Sequence, residues 1–422
     1  MVSLSPFRAV RPEPGQAAAV AAVPYDVVST PEARALAAGN PLSFLHVSRA
    51  EIDLPDDIEP HADLVYQRAA ANFARLRAEA PLVEDEPSLY VYRLQMGEHV
   101  QTGIAGGFSV DEYVQDVICK HERTRKDKED DRTRHIIELR AQTGPVFLVY
   151  DAAASIDRIV DESTIRPALL DLVADDGVRH TIWRLDDEGR DALVAAFESV
   201  PVMYIADGHH RAASAMRARN ELRAQPGEAA GSGPATDADT FLAVAFPHDQ
   251  TRILPYHRYV TDLAGRTAGD FLGALRQRAK VRPLNSPPPD DGPPDPGTIA
   301  MYLAGAWYEI RLAAPPEDPA GPAAEASASD RLDVARLQAQ VLVPLLGIGD
   351  PRTDQRIGFV GGIRGSAALA ALVDDGPAAV AFALRPVEIQ DLMRIADGGG
   401  IMPPKSTWFE PKLRDGLLSH LI

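Results

Sequence analysis

The stretch YIADGHHRAASA, residues 204–215, decides how this chain is read. An apolar run ends in Asp207 and Gly208, two histidines and Arg211 follow, and alanines then open a helix. A strand that delivers an acid and a glycine to a helix start leaves the first helical amides without intrahelical acceptors, at the positive end of the helix dipole. Gly208 lets an anion approach the backbone, Arg211 adds a two-pronged donor, and His209 and His210 add ring N–H groups. The motif therefore suits the phosphates of a nucleoside di- or triphosphate. Two rival readings stand beside it. Asp207 is a good helix cap, which would make this a well-capped turn and nothing more. Metal ligation is weaker, because adjacent helical residues point in different directions and seldom hold one ion together.

Working outward, short apolar runs at 144–152, 178–185 and 200–206 alternate with helical patterns at 161–174 and 187–198, which favours a mixed α/β layer arrangement. Residues 88–96 and 101–110 read as a hairpin across Gly97–Val100, and 63–80 as a helix. Thr30, Pro31 and Glu32 open another helix that Gly39 closes. Between 225 and 239 periodicity is lost and Gly, Pro and Ser accumulate, so a boundary is expected there, with an N-terminal region 1–224 and a C-terminal region 239–422. In the second region strands are expected at 240–247, 253–260, 298–312, 357–361 and 378–384. Helices are expected near 267–278, 331–345, 364–373 and 386–396, and the Pro-rich stretches 285–297 and 313–330 as surface loops.

Composition bounds the function. A net charge of −18 argues against a nucleic-acid partner, which clustered Lys and Arg would have to hold. One cysteine, Cys119, rules out an internal disulfide framework and fits a reducing compartment. No apolar run is long enough to span a membrane and the N-terminus does not resemble a secretory signal, so the expectation is cytoplasmic, without a membrane partner. A homodimer is compatible with the sequence.

The densest charge run is CKHERTRKDKEDDRTRH, residues 119–135. If it is helical throughout, His121, Arg125, Lys128, Arg132 and His135 share one face, the local cation stripe that phosphate binding in an acidic chain requires. A solvated helix laced by ion pairs is the commoner fate of such a run. Glu122 beside it is the leading carboxylate for accepting a hydroxyl proton, with Asp207 second; either acid is also able to hold Mg²⁺. Three further polar stretches are candidates for substrate contact: VPYDVVS with Tyr25 and Asp26, NPLSFLHVSR with Ser43, His46 and Arg49, and PPKSTWFEPKLRDG with Lys405, Ser406 and Lys412.

These segments, with PFRAVRP, LYVYRLQM and TGPVFLVY, resemble in the same order the family called domain of unknown function 1015. More distantly, DGHHRAA is similar to the strand-to-helix motif of the ParB and sulfiredoxin superfamily, whose members bind nucleotide phosphates there. Sulfiredoxins carry a catalytic cysteine where this chain has His209, so the resemblance does not extend to sulfinic-acid reduction. Free-serine kinases of that superfamily carry an Asp-Gly-His version.

The resemblance implies a ParB/sulfiredoxin-like nucleotide-binding domain, here elaborated by a second mixed α/β domain. It implies phosphate contacts from Gly208, His209, His210 and Arg211, with Asp207 catalytic or metal-linked. Together with the charge run, the expected site is Asp207, Glu122 and His209 as catalytic groups, His121, Arg125 and Arg132 as further phosphate contacts, and Tyr25, Asp26 and Lys405 toward the substrate. No residue is assigned to a protein-held metal. The expected activity is phosphorylation of a small hydroxylated metabolite, L-serine first, by ATP or ADP with Mg²⁺. The alternatives are a ParB-like nucleotide-gated module with a DNA or protein partner, and a metal-dependent hydrolase using His121, His209 and His210.

Overall fold

The computed structural model describes residues 1–79, 82–224, 236–314 and 328–422. The chain forms two compact units, Met1–Thr251 with Pro411–Ile422, and Arg252–Glu410. It is a mixed α/β protein with several sheets.

In the first unit, among the described residues, nine strands make the main sheet: Leu4–Ser5 (β1), Tyr90–Met96 (β2), His99–Ser109 (β3), Ile118–Cys119 (β4), Val146–Tyr150 (β5), Leu170–Val173 (β6), Arg179–Arg184 (β7), Met203–Asp207 (β8) and Thr240–Pro247 (β9). They run in the order β4-β8-β5-β9-β3-β2-β7-β6, with β1 on β3. The β4/β8 and β5/β9 pairs are parallel and the rest antiparallel. The expected β2–β3 hairpin forms, but on a two-residue turn with Met96 facing His99, tighter than the Gly97–Val100 connection expected. Strands β5 and β9 are buried almost throughout, the signature of strands covered on both faces.

Helices Lys126–Leu139 (α1), Ala154–Thr164 (α2), Asp187–Phe197 (α3) and His209–Arg223 (α4) complete the parts that matter for the site. Helix α4 buries Ala212, Ala213, Ala215 and Ala218, small residues that let it lie close to its neighbours. Ser214 donates to the Glu129 carbonyl at 3.2 Å, and Arg217 forks onto Glu129 and Asp130, tying α4 to α1. A second sheet joins Leu82–Glu84, Ala9–Pro12, Ser419–Leu421 and Ala141–Gln142 in that order, so the C-terminal tail is part of this unit.

In the second unit, Tyr256–Val260 (β10), Lys280–Pro283 (β11), Thr298–Leu303 (β12), Ala306–Arg311 (β13), Ile357–Gly361 (β14) and Val380–Ala383 (β15) form an antiparallel sheet ordered β11-β13-β12-β15-β10-β14. Arg252–Leu254 pairs separately with Trp408–Glu410.

Several expectations change. The helical pattern at 161–174 is the end of α2 followed by strand β6, because β6 pairs with β7 through Leu170 and Leu172. The single strand expected at 298–312 is a hairpin, broken where Ala304 and Gly305 both take positive φ, 47° and 81°. The helix expected at 331–345 contains a π-helical segment, Gln338–Leu342. The cap of the helix Thr30–Ala37 is Ser29, whose side chain and Glu32 form a capping box. The boundary expected near 225–239 falls inside the first unit, since β9, which follows it, is wedged between β5 and β3. Residues 225–235 themselves, and 315–327 of the second Pro-rich stretch, lie outside the described residues.

Candidate functional site

Strand β8 ends at Asp207, and Gly208 turns the chain into α4 with φ 94°, a left-handed conformation that L side chains seldom adopt. Gly208 is the cap residue and no side chain caps the helix. Asp207 is thus not the N-cap. One of its carboxylate oxygens accepts from the Gly208 amide at 3.0 Å, and the other pairs with Lys412 Nζ at 3.2 Å. Burial alone would raise its pKa, but Lys412 first, then Arg211 and His209, hold the carboxyl well below the ordinary range. Asp207 is ionised at any physiological pH.

The two histidines of the motif reach back to the charge run. His209 is buried, and its ring meets that of His121 edge to face with centroids 4.4 Å apart. The His121 amide donates to His209 Nε2 at 3.4 Å, while His209 Nδ1 lies 3.9 Å from a Glu122 oxygen. His210 Nε2 accepts from the Arg125 amide at 3.0 Å. Burial, aided by mutual repulsion, keeps His209 neutral, and burial lowers His121 to about 4. Both rings are therefore uncharged hydrogen-bonding groups, not phosphate-neutralising cations.

Beneath the turn lies a charge cluster that is buried except for the half-exposed Asp26 at its edge. Arg211 chelates both oxygens of Asp26, at 3.0 and 3.1 Å, and donates to the Pro145 carbonyl at 2.8 Å. The Tyr25 ring sits among these cations, with the Arg132 guanidinium 4.3 Å and that of Arg211 5.7 Å from its centroid. Burial pushes its hydroxyl pKa far up, with Asp26 adding to the effect, so it stays protonated. Arg132 pairs with Asp131 at 2.8 Å, and Asp131 also accepts from Tyr66 at 2.8 Å. A cavity of about 30 Å³ lies against Tyr25, Arg132, His135, Gly144, Arg211 and Asp415. On that measure it has room for a water or two and not for a nucleotide.

The expected site is thus partly assembled. Asp207, Gly208, His209, His121 and Glu122 come together at the turn, and Tyr25 and Asp26 reach Arg211. The cation stripe does not form. Cys119 is in β4, 120–125 is a loop, and α1 starts only at Lys126, so His121 and Arg125 leave the helical face that Lys128, Arg132 and His135 occupy. His135 is buried, bonded to the Val47 carbonyl at 3.0 Å and lowered to about 4 by burial, so it carries no charge at neutral pH. Arg125 is exposed and forks onto Asp127. Arg211 and Arg132 are already neutralised by Asp26 and Asp131. Lys405 belongs to the second unit, where its Nζ lies 5.7 Å from the Tyr256 ring centroid. His46 bonds to Asp53 at 2.7 Å and Arg49 to Glu51 at 2.8 Å, local structural pairs. Among the described residues no three His, Cys, Asp or Glu side chains converge to hold a metal ion, so His121, His209 and His210 do not form a ligand set.

Sequence reasoning missed Asp415. It is buried to 1% exposure, no side chain among the described residues hydrogen-bonds its carboxylate oxygens, and burial raises its pKa to about 7. Its signal was the KLRDG end of the tail motif: an acid before Gly416, whose φ is 85° and whose added Cβ would press Phe44 at 2.6 Å. The same motif supplies Lys412.

The chain belongs to the DUF1015 family, described as proteins of unknown function, which it matches over residues 4–335. No curated protein matches it. Among solved structures, it is distantly similar to a conserved hypothetical protein from Pyrococcus furiosus, at TM-score 0.34 and 12% identity, over 76% of this chain and 95% of that one. A free serine kinase in complex with AMP is similar at TM-score 0.32 and 11% identity, over 75% of this chain and 92% of that one. SbnI with a C-terminal truncation, from Staphylococcus aureus, is similar at TM-score 0.35 and 12% identity, over 75% and 87% of the two chains. Among the described residues no helix is long and apolar enough to cross a membrane.

Proposed function

We propose that this member of the DUF1015 family is a nucleotide-dependent kinase of a small hydroxylated metabolite, free L-serine being the first candidate acceptor. The observation that carries the reading is the turn after β8, where an ionised Asp207 paired with Lys412 stands directly before a glycine-initiated helix start, with Glu122 beside the neutral His209. The first amides of α4 receive the nucleotide phosphates, with Lys412, held at the turn by Asp207, contributing positive charge beside them.

The two carboxylates divide the work by their environments. A carboxylate held strongly ionised is a poor proton acceptor and a good oxygen ligand, so Asp207 would be the residue to hold the Mg²⁺ that accompanies ATP or ADP, an ion that would neutralise phosphate charge. Glu122, half exposed and 3.9 Å from His209 Nδ1, takes the acceptor's hydroxyl proton. The hydroxyl oxygen then bonds to the terminal phosphorus, and the bond from that phosphorus to the nucleotide's bridging oxygen breaks. Arg211, Asp26 and Tyr25 form the rigid floor that fixes the turn; the further assignment of Tyr25, Asp26 and Lys405 to substrate contact is part of the proposal.

The test is direct. Purified protein with Mg²⁺, ATP or ADP, and L-serine or a panel of hydroxylated metabolites is assayed for the phosphorylated product. Glu122→Gln should abolish turnover and leave nucleotide binding intact, whereas Asp207→Asn should weaken Mg²⁺–nucleotide binding as well. Absence of product with either nucleotide across the panel removes the kinase reading.

A further inference from the structure

The second unit contains a buried cation with no counter-charge among the described residues. Arg258 on β10 is 2% exposed, and its guanidinium donates to three carbonyls, those of Tyr256 at 2.8 Å, Pro404 at 3.0 Å and Lys405 at 3.1 Å. It packs 5.4 Å from the centroid of the Phe359 ring. Among the described residues no carboxylate pairs with it, and burial lowers its pKa only to about 9, so it remains charged at neutral pH. Neutral carbonyls take three of its five N–H hydrogens and leave the net charge buried, which folding tolerates poorly unless an opposite charge arrives.

The same side chain lines a cavity of about 200 Å³, the larger of the two cavities described here. Arg331, Arg385 and Ser406 also line it, with apolar walls from Leu332, Val334, Leu384 and Val387. Two acids line it as well. Asp391 is paired with Arg394 at 2.7 Å and Asp333 lies 3.8 Å from Arg336, while the lining Arg385 is itself paired with Glu388 at 2.6 Å. The Asp333 Oδ2 atom is buried without a hydrogen-bond partner among the described residues. A chamber with a buried unpaired arginine, further arginines and apolar walls is built for an anionic head on an apolar body.

We propose that the second unit carries a ligand site of its own, in which Arg258 anchors the oxyanion head, carboxylate or phosphate, of a small organic molecule. The cavity admits roughly a dozen heavy atoms. The site explains the tail segment PPKST, which folding of the Asp207 turn does not use: the carbonyls of Pro404 and Lys405 orient Arg258, and Ser406 completes the wall.

The test uses the full chain and isothermal titration with four probes: phenyl phosphate, phenylacetate, inorganic phosphate and the uncharged 2-phenylethanol. Saturable binding of phenyl phosphate or phenylacetate, with 2-phenylethanol at least tenfold weaker, is expected, and the stronger of the two names the head group. Inorganic phosphate should bind more weakly than phenyl phosphate. Binding should fall at least tenfold in Arg258→Gln and in Val387→Trp, which fills the chamber and leaves Arg258 in place. If Arg258→Gln does not fold, Val387→Trp decides alone. No saturable binding of either anion, equal binding of the alcohol, or binding unchanged in these variants overturns the proposal; the last outcome would place the anion elsewhere, including at the Asp207 turn.

Discussion

Replacing Asp415 by Asn should stabilise the first unit, and by an amount that grows with pH. The carboxyl lies buried against a 30 Å³ cavity near Arg211, without a side-chain hydrogen-bond partner among the described residues, and its folded pKa is raised from 3.8 to about 7. The unfolded chain releases that proton near the ordinary value. Between those two values the folded state therefore holds more protons than the unfolded state, and stability falls as pH rises through the window. At about 1.36 kcal/mol per pH unit, the penalty reaches at most about 4 kcal/mol by pH 8. A water in the cavity, hydrogen-bonded to the carboxylate, would reduce it. Asparagine has nearly the same volume and does not ionise, so Asp415→Asn should be neutral at pH 4 and gain about 2 to 4 kcal/mol at pH 8. Urea unfolding at both pH values, followed through Trp183 after Trp307→Phe and Trp408→Phe, reads the first unit alone. A variant that is less stable than the parent at pH 8 would refute the reasoning, because it would mean that Arg211 needs the Asp415 charge.

Three further outcomes follow from the same geometry. Gly208→Ala should cost about 1–2 kcal/mol from backbone strain at φ 94° alone, since the added Cβ meets its nearest neighbours at an ordinary 3.4 Å; urea unfolding measures it. Arg211→Met should cost about 1.5–3 kcal/mol by removing the charged hydrogen-bond partner of Asp26, whose side chain is 39% exposed, and a cation beside Asp207, with Asp26→Asn recovering part of the loss in the double variant. His121 and His135 are each lowered from 6.5 to about 4, so the stability they contribute is complete above their unfolded value and lost as pH falls toward 4, at most about 3 kcal/mol each. The corresponding acid limb should shrink in His135→Gln when stability is measured between pH 4 and 7.

Local chemistry made much of this protein legible in advance. Alternation with a tight turn marked the β2–β3 hairpin, an apolar run marked β9, and the ADGHH order marked a strand meeting a glycine-initiated helix, because such signals depend on residues a few positions apart. The same locality explains the failures. A helical pattern at 161–174 gave way to β6 because pairing with β7 outweighed propensity, and a cation stripe inferred from helical spacing vanished because His121 left the helix to meet His209. The family resemblance located the motif but not the charge state of its members.

What the sequence by itself determined is the turn: Asp207, a glycine free to adopt positive φ, and a helix whose first amides point at whatever binds there. Only the tertiary structure decided which charges remain available to a ligand. Asp26 takes Arg211 from across the fold, and Lys412 arrives at Asp207 from the far end of the chain. Burial sets the histidines neutral and raises Asp415. Desolvation and ion pairing depend on what surrounds a group in space, and residues some two hundred positions apart supply those surroundings here.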